Sequence, residues 1–173
     1  MIETIIRWQI ADYMNVADAG ATTPDWQLMG VGFNSLDENP QAQIDTKAYI
    51  SDRSASSITK GYQTQFPFDT DLIASDKAIM KLYDIGRNQL TGGAVNLDYV
   101  RVELFRPAMD TNGITPLNNE FTARKFVVAA EISGMAGAGA EIIHVTGNLN
   151  NVGSFVDGTF NTQTKTFTET VAP

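Results

Sequence analysis

The stretch SDKAIMKLYDIGRNQLTGGAVNLDYVRVELFR, residues 75–106, contains a change of hydrophobic period that decides the fold. Its first half predicts one amphipathic helix over 76–89, because apolar or small residues recur at intervals of three and four. This predicted stripe consists of Ala78, Ile79, Leu82, Tyr83, Ile85 and Gly86. Ser75 is the predicted N-cap, and Asp76 would favour the first turn. The segment Thr91-Gly92-Gly93 would end the helix.

The second half of the stretch alternates with a period of two, which is typical of a strand with Val100, Val102 and Leu104 on its buried face. Outside it, short runs of Val, Ile, Thr and Phe broken by turn residues predict more strands. These are 26–34, 41–50, 58–69 (ending near Pro67), 120–132, 140–149, 154–160 and 165–168. A loop is expected at 107–118, a Gly- and Ala-rich connector at 133–139, and 140–149 is expected to pair antiparallel with 120–132. The sequence therefore predicts a mainly β (α+β) fold, a β-sandwich or partial barrel with one flanking helix, in a single domain over 1–173.

Composition excludes several classes of function. The 173 residues are 43% hydrophobic and 18% charged, which is typical of a folded globular chain. Without cysteine there are no disulfides, thiolate metal sites or cysteine nucleophiles. No apolar run is long enough to cross a bilayer, and the N-terminus lacks a signal-peptide pattern, so we expect synthesis in a cytoplasm and no membrane insertion.

The charge is concentrated in the first half of the chain. The formal net charge is −8, and residues 1–76 carry −7 of it, with 11 acids and 4 bases. An acidic surface repels phosphate, which disfavours ordinary nucleic-acid binding, although solubility alone also explains such a charge.

Two features with possible chemistry are expected to be structural. His144 is the only histidine and lies in a predicted strand without the signature of a nucleophile and its base. Asp69-Thr70-Asp71 resembles a two-carboxylate metal motif but supplies few ligands, so we expect it to break the strand before the helix. We assign no catalytic, cofactor-binding or metal-binding residue and expect no enzyme.

Several segments taken together carry a family resemblance. In order they are WQLMG at 26–30, Asn39-Pro40, KAYISDRSASS at 47–57, Gly61-Tyr62, Pro67-Phe68-Asp69, KAIMKLYDIGRNQLTGG at 77–93 and DGTFNTQTKTFT at 157–168. Their order resembles that of major tail tube proteins of siphophages and related prophages of Gram-positive bacteria. The resemblance covers about residues 25–170.

The resemblance implies a structural subunit of a virion tail that forms hexameric rings, which stack around a channel for DNA. The partners it implies are further copies of the chain, tail tip or baseplate proteins and tail terminator proteins. The tape measure protein and genomic DNA would occupy the channel without specific binding. A contractile tail or injection tube, which has the same general architecture, is an alternative.

Two sets of residues are candidates for surfaces of such a tube. The acidic first half suggests that Asp37, Glu38 and Asp45 face the lumen, because acids keep DNA from adhering. Ring-to-ring contacts are expected from an N-terminal arm over 1–12 and an extended loop over 47–57, whose candidates are Ile5, Ile6, Trp8, Tyr49 and Arg53. The alternative from another class is a carbohydrate-binding β-sandwich module that uses Trp8, Trp26, Tyr49 and Tyr62.

Overall fold

A computed structural model describes residues 4–170, which form eleven strands, one α-helix and two 3-10 turns. The helix α1 spans Lys77–Arg87, and the 3-10 turns span Arg7–Gln9 and Gly92–Val95. The strands are β1 (Ile10–Asn15), β2 (Trp26–Leu28), β3 (Phe33–Leu36), β4 (Ala42–Lys47), β5 (Ser56–Tyr62), β6 (Gln65–Asp71), β7 (Asn96–Met109), β8 (Pro116–Ala136), β9 (His144–Asn151), β10 (Val156–Asn161) and β11 (Thr166–Glu169).

Nine strands form one antiparallel sheet that curls into a half-barrel. The order along the sheet is β2-β1-β7-β8-β9-β6-β3, and the hairpin β10–β11 branches from β8. The remaining strands, β4 and β5, pair only with each other. This architecture confirms the prediction of a mainly β fold with one flanking helix.

The branch exists because β8 is 21 residues long and changes partner along its length. Its first half pairs with β10, from Glu120 opposite Asn161 to Lys125 opposite Val156. Its second half pairs with β9 from Val128 onward, as predicted for this hairpin. The β10–β11 hairpin is thereby free to fold over one face of the sheet while α1 covers the other.

Helix α1 closes the larger core. It buries Ala78, Ile79, Leu82 and Ile85, which confirms the predicted apolar stripe. The Asp76 side chain accepts a hydrogen bond from the Ile79 N–H at 3.0 Å. The predicted N-cap at Ser75 is therefore wrong by one residue: the helical backbone begins at Lys77, and Asp76, with an extended backbone at φ −92° and ψ 118°, is the residue that caps it.

The second core lies on the opposite face of β7, under the β10–β11 hairpin. Phe160 is fully buried there, with its ring centroid 4.5 Å from that of Tyr13 and 6.1 Å from that of Trp26. Val100 and Val102 are buried as predicted, but Tyr99 and Arg101 on the other face are buried too. The strand is thus covered on both faces, which a period-two pattern with a charged residue did not predict.

Residues 58–69 are two strands rather than the predicted single one. The chain passes at 63–64 from β5 into β6, and Pro67 lies inside β6 instead of ending it. The Pro67 carbonyl accepts from the Asp37 N–H at 3.1 Å. Because the nitrogen and the carbonyl of one strand residue point to the same side, the Pro67 nitrogen also faces Asp37, one residue beyond the end of β3. The missing donor of proline therefore removes no ladder bond to β9.

Other strand boundaries also differ from the prediction. Residues 26–34 contain the separate strands β2 and β3, whose connection passes through Gly32 at φ 87°. The expected loop at 107–118 is only the turn 110–115, because β7 and β8 extend as a ribbon beyond the sheet. The expected connector at 133–139 is partly strand, since β8 continues to Ala136.

Candidate assembly surfaces

Residues 42–62, hereafter the arm, form a hairpin that projects from the body of the protein. The arm comprises β4, β5 and their connecting turn, and every one of its residues except Asp45 and Gly61 is exposed. At its base, the Gln63 N–H donates to the Gln41 carbonyl at 3.1 Å. A two-stranded hairpin without a core is marginally stable in water, so the arm has the character of an element that packs on a partner.

The outer end of the arm contains the segment predicted as an extended loop, 47–57. The ends of this segment belong to β4 and β5, and only 48–55 lie between the strands. The Tyr49 N–H donates to the Asp52 side chain at 3.0 Å, and the Asp52 N–H donates back to the Tyr49 carbonyl at 2.9 Å, which closes a turn. Tyr49 and Ile50 are both highly exposed at this tip.

A second surface is an apolar groove of about 870 Å³, hereafter the seam groove, where the two ends of the curled sheet approach each other. Its apolar lining includes Trp8, Ile10, Leu28, Phe33, Leu104 and Phe121. Trp8 is 71% exposed and Leu28 is 47% exposed, so large apolar side chains line an open concavity. Such an open patch is typical of an interaction site.

The N-terminal segment forms one wall of the seam groove. Within the predicted arm 1–12, residues 1–3 lie outside the described residues, a 3-10 turn occupies Arg7–Gln9, and Ile10–Asp12 belong to β1. Ile5 and Ile6 are exposed beside this wall. The Ile6 N–H donates to the Gln9 side chain at 2.8 Å, which holds the turn in place.

A buried carboxylate fixes this wall to the sheet. The Asp12 side chain is fully buried and accepts hydrogen bonds from the Tyr99 hydroxyl and the Arg7 guanidinium. A second guanidinium, that of Arg101, lies 3.5 Å from Asp12 Oδ1, the oxygen that also accepts from Tyr99. Arg7 also donates to the Leu36 carbonyl at 3.1 Å, which ties the start of the chain to the end of β3.

The Asp12 site continues as a chain of alternating charges. Arg101 Nε lies 3.3 Å from Glu38, and Arg124 donates two bonds to the same carboxylate at 2.8 and 2.9 Å. Burial raises the pKa of Tyr99 well above its usual value, and the negative charge of Asp12 adds to the shift. Burial alone would lower the pKa of Arg101, but Asp12, Tyr99 and Glu38 outweigh it and the pKa is raised. Arg101 therefore stays charged and paired.

The three acids suggested for a lumen occupy different environments. Glu38 is half-buried in the chain of charges, where it neutralises two arginines. Asp45 lies in the arm and pairs with Lys60 at 2.8 Å. Asp37 is exposed directly after β3, and of these three acids it is the one that forms no ion pair within residues 4–170.

His144 forms a small polar cluster on the outer face of β6 and β9. Its Nδ1 lies 3.1 Å from Asp69 and 3.5 Å from Asp71, and the hydrogen bond to Asp69 raises its pKa above the ordinary value. Both aspartates belong to β6, and Asp71 is its last residue, so the strand ends at this motif before the helix, as expected; buried Thr70 between them keeps the alternation of the strand. The described residues contain no group of three or more His, Cys, Asp or Glu side chains suited to a metal ion.

The residues that build the seam groove were largely absent from the sequence-based candidates. Trp8 is a candidate because the terminal segment that contains it is unusually apolar, whereas Leu28, Leu104 and Phe121 have the pattern of ordinary strand residues. Among residues 4–170, no helix is long and apolar enough to cross a membrane.

Trp26, one of the four aromatic residues considered for sugar stacking, is 3% exposed in the second core and presents no ring to a ligand.

The fold is similar to that of a chain in a solved phage-related assembly. No protein-family model matches the sequence, and no curated protein aligns with it. Among solved structures, a chain of the cryo-EM structure of the anti-feeding prophage (AFP) baseplate, 6-fold symmetrised, matches with a TM-score of 0.51 and 6% identity. The match covers 93% of this chain and 98% of that chain. At this identity the likeness establishes a shared fold over nearly the whole of both chains.

Proposed function

We propose that this protein is a structural subunit of a bacteriophage tail, of the siphophage type, which assembles into stacked rings of six around a channel for DNA. The arm is the single observation that carries the proposal. It consists of 21 residues that extend from a complete fold, bury nothing of their own and expose Ile44, Ile58 and Tyr62. A second copy of the chain would supply the surface that this hairpin lacks.

The shared fold with a chain of a six-fold baseplate supports the proposal. A half-barrel sheet with exposed short edge strands can continue from subunit to subunit, and ring closure then removes the free edges. The partners would be further copies of the chain, with tail tip or baseplate and tail terminator proteins at the ends. The product would be made in the cytoplasm of a host bacterium and function in the virion.

We propose that the acidic character of the chain serves the channel. The tape measure protein and then DNA would pass a wall that does not bind phosphate, because a net charge of −8 repels it. Asp37 is a suitable wall residue because it is exposed and free of ion pairs in the described chain. Glu38 is less suitable, since Arg101 and Arg124 already neutralise it.

A baseplate ring or an injection-machine tube is the second candidate, favoured by the baseplate chain that shares the fold. The two candidates differ in how assembly ends. A tube subunit adds rings without limit and forms filaments of variable length, whereas a baseplate subunit forms one closed ring of defined mass.

Sedimentation velocity over a concentration series tests the proposal. The matched control is a chain in which Asn-Gly replaces residues 42–62, since the hydrogen bond between Gln41 and Gln63 holds the two cut ends together. We expect the whole chain to form large species above a critical concentration and the control to stay monomeric with an unchanged melting temperature. A whole chain that remains monomeric at every concentration, even with tail-tip complexes added as nuclei, would refute a self-assembling tail subunit.

A further inference from the structure

We propose that the arm docks through one specific face into the seam groove of a second copy of the chain. This inference rests on the proposed function and adds the contact surface on each side. The two faces of the arm differ in charge, the arm and the body differ in net charge, and the groove offers the apolar surface that the arm lacks.

The strand pairing separates the arm into two chemically different faces. Residues directly opposite each other in an antiparallel pair point to the same side, so Ile44 shares a side with Thr59, and Asp45 shares one with Ile58. The neutral face carries no charged side chain and consists of Ala42, Ile44, Thr46, Ser57, Thr59 and Tyr62. The Thr46 and Ser57 hydroxyls lie 3.1 Å apart on this face.

The opposite, charged face contains Asp45, Lys47 and Lys60, with the Asp45–Lys60 pair at 2.8 Å. Burying this pair in an apolar groove would cost the hydration of both ions, which their mutual attraction rarely repays. The neutral face can be buried without that cost. The Thr46 and Ser57 hydroxyls already bond each other, and Ile44 and Tyr62 contribute apolar area.

Net charge favours a second copy as the partner. The arm has three bases and two acids, a net charge of +1. Since the whole chain carries −8, the rest of the chain carries −9. Within residues 4–170, Lys47 and Arg53 form no ion pair, so the outer end of the arm presents two available cations. An acidic body attracts such an arm, and opposite charges favour correct encounter and register.

The seam groove offers the matching surface. It is open, it has room for several side chains, and Trp8 and Leu28 leave large apolar area uncovered. The chain of charges beneath holds the N-terminal wall against the sheet, so the groove is formed before a partner arrives. A preformed site avoids the ordering cost that would otherwise weaken binding. Both sequence-based candidates for ring contacts, the N-terminal segment and the outer loop, then belong to one interface.

The variants Ile44→Lys and Ile58→Lys test which face docks. The two isoleucines are 65% and 68% exposed, so the same substitution places the same charge on opposite faces of one hairpin. We expect Ile44→Lys to raise the critical concentration at least about tenfold, because the lysine would enter an apolar site. Ile58→Lys should change the critical concentration by less than about twofold. Equal effects, or the larger effect from Ile58→Lys, would overturn the inference.

Cross-linking tests the groove, and the absence of native cysteine makes it specific. The double variant Ile44→Cys with Leu28→Cys should give a ladder of covalent multimers under mild oxidation. The control, Ile58→Cys with Leu28→Cys, should give no ladder because its arm cysteine faces away. A ladder from the control alone, or none from either variant in assembled material, would exclude the groove.

The two proposals fail in different ways. If the unmodified chain does not assemble, the proposed function fails. If it assembles and the Ile44 and Ile58 variants behave alike, the tail function stands and only the docking face is wrong. Circular dichroism of each variant as a dilute monomer checks that the body, whose folding does not depend on these exposed side chains, is unchanged.

Discussion

Replacing Asp12 with alanine is expected to destabilise the fold by about 3 kcal/mol. Its carboxylate is fully buried and serves the Tyr99 hydroxyl, Arg7 and Arg101. Alanine leaves a buried hydroxyl and a 7% exposed guanidinium with fewer partners. Removing one member of a buried ion network costs roughly 3–5 kcal/mol, and the lower value applies because Arg101 keeps Glu38 and Arg7 can turn to water.

Equilibrium urea unfolding measures this cost, with Asp45→Ala as the matched control. The Asp45–Lys60 pair lies at the surface, with side chains 34% and 65% exposed, so its loss should cost under about 1 kcal/mol. For a chain of this length, about 3 kcal/mol corresponds to a melting temperature lower by roughly 6–12 °C. The reasoning is refuted if Asp12→Ala costs no more than Asp45→Ala while the dependence on urea is unchanged.

Two further predictions concern β9. A side chain at Gly147 would collide with the Glu131 carbonyl oxygen, so Gly147→Ala should lower the free energy of unfolding by at least about 1–3 kcal/mol in a urea titration. The control is Gly61→Ala, whose added methyl group meets nothing within 4 Å and should leave the free energy of unfolding nearly unchanged. Because Asp69 raises the pKa of His144, this histidine should stabilise the fold fully below about pH 6.5 and lose that effect as the pH rises through the raised pKa. The free energy of unfolding against pH should show this fall in the unmodified chain, and a His144→Gln variant with the same fall would contradict the assignment.

The helix and the closing hairpin could be predicted because their signals are local. The residues Ala78, Ile79, Leu82 and Ile85 repeat with the helical period, and the same residues are buried against the sheet. Residues 156–161 and 166–169 are two short runs of β-favouring residues separated by a polar turn. In both cases neighbours in sequence are also neighbours in space.

The division of residues 58–69 could not be predicted because the chain carries no breaker at the point of change. Residues 63–64 continue the period-two pattern from β5 into β6, although one strand belongs to the arm and the other to the half-barrel. Which sheet a strand joins is decided by distant partners, here β9 along the whole of β6.

The seam groove and its charged support were also beyond sequence reasoning. Glu38 and Arg101 come from parts of the chain far from Arg7 and Asp12, and only the curled sheet brings the three parts together. The neutral face of the arm had a readable signal, since Ile44 and Thr46 alternate with Asp45 and Lys47. That alternation predicts a hairpin with one covered face, but it does not identify what covers it.

Negative-stain electron microscopy of the purified chain at high concentration tests the central claim most directly. Assembly through the arm predicts hollow filaments of variable length, with six-fold symmetry in end views. A uniform population of 18.8 kDa monomers that never associates, even with tail-tip complexes added as nuclei, would contradict it.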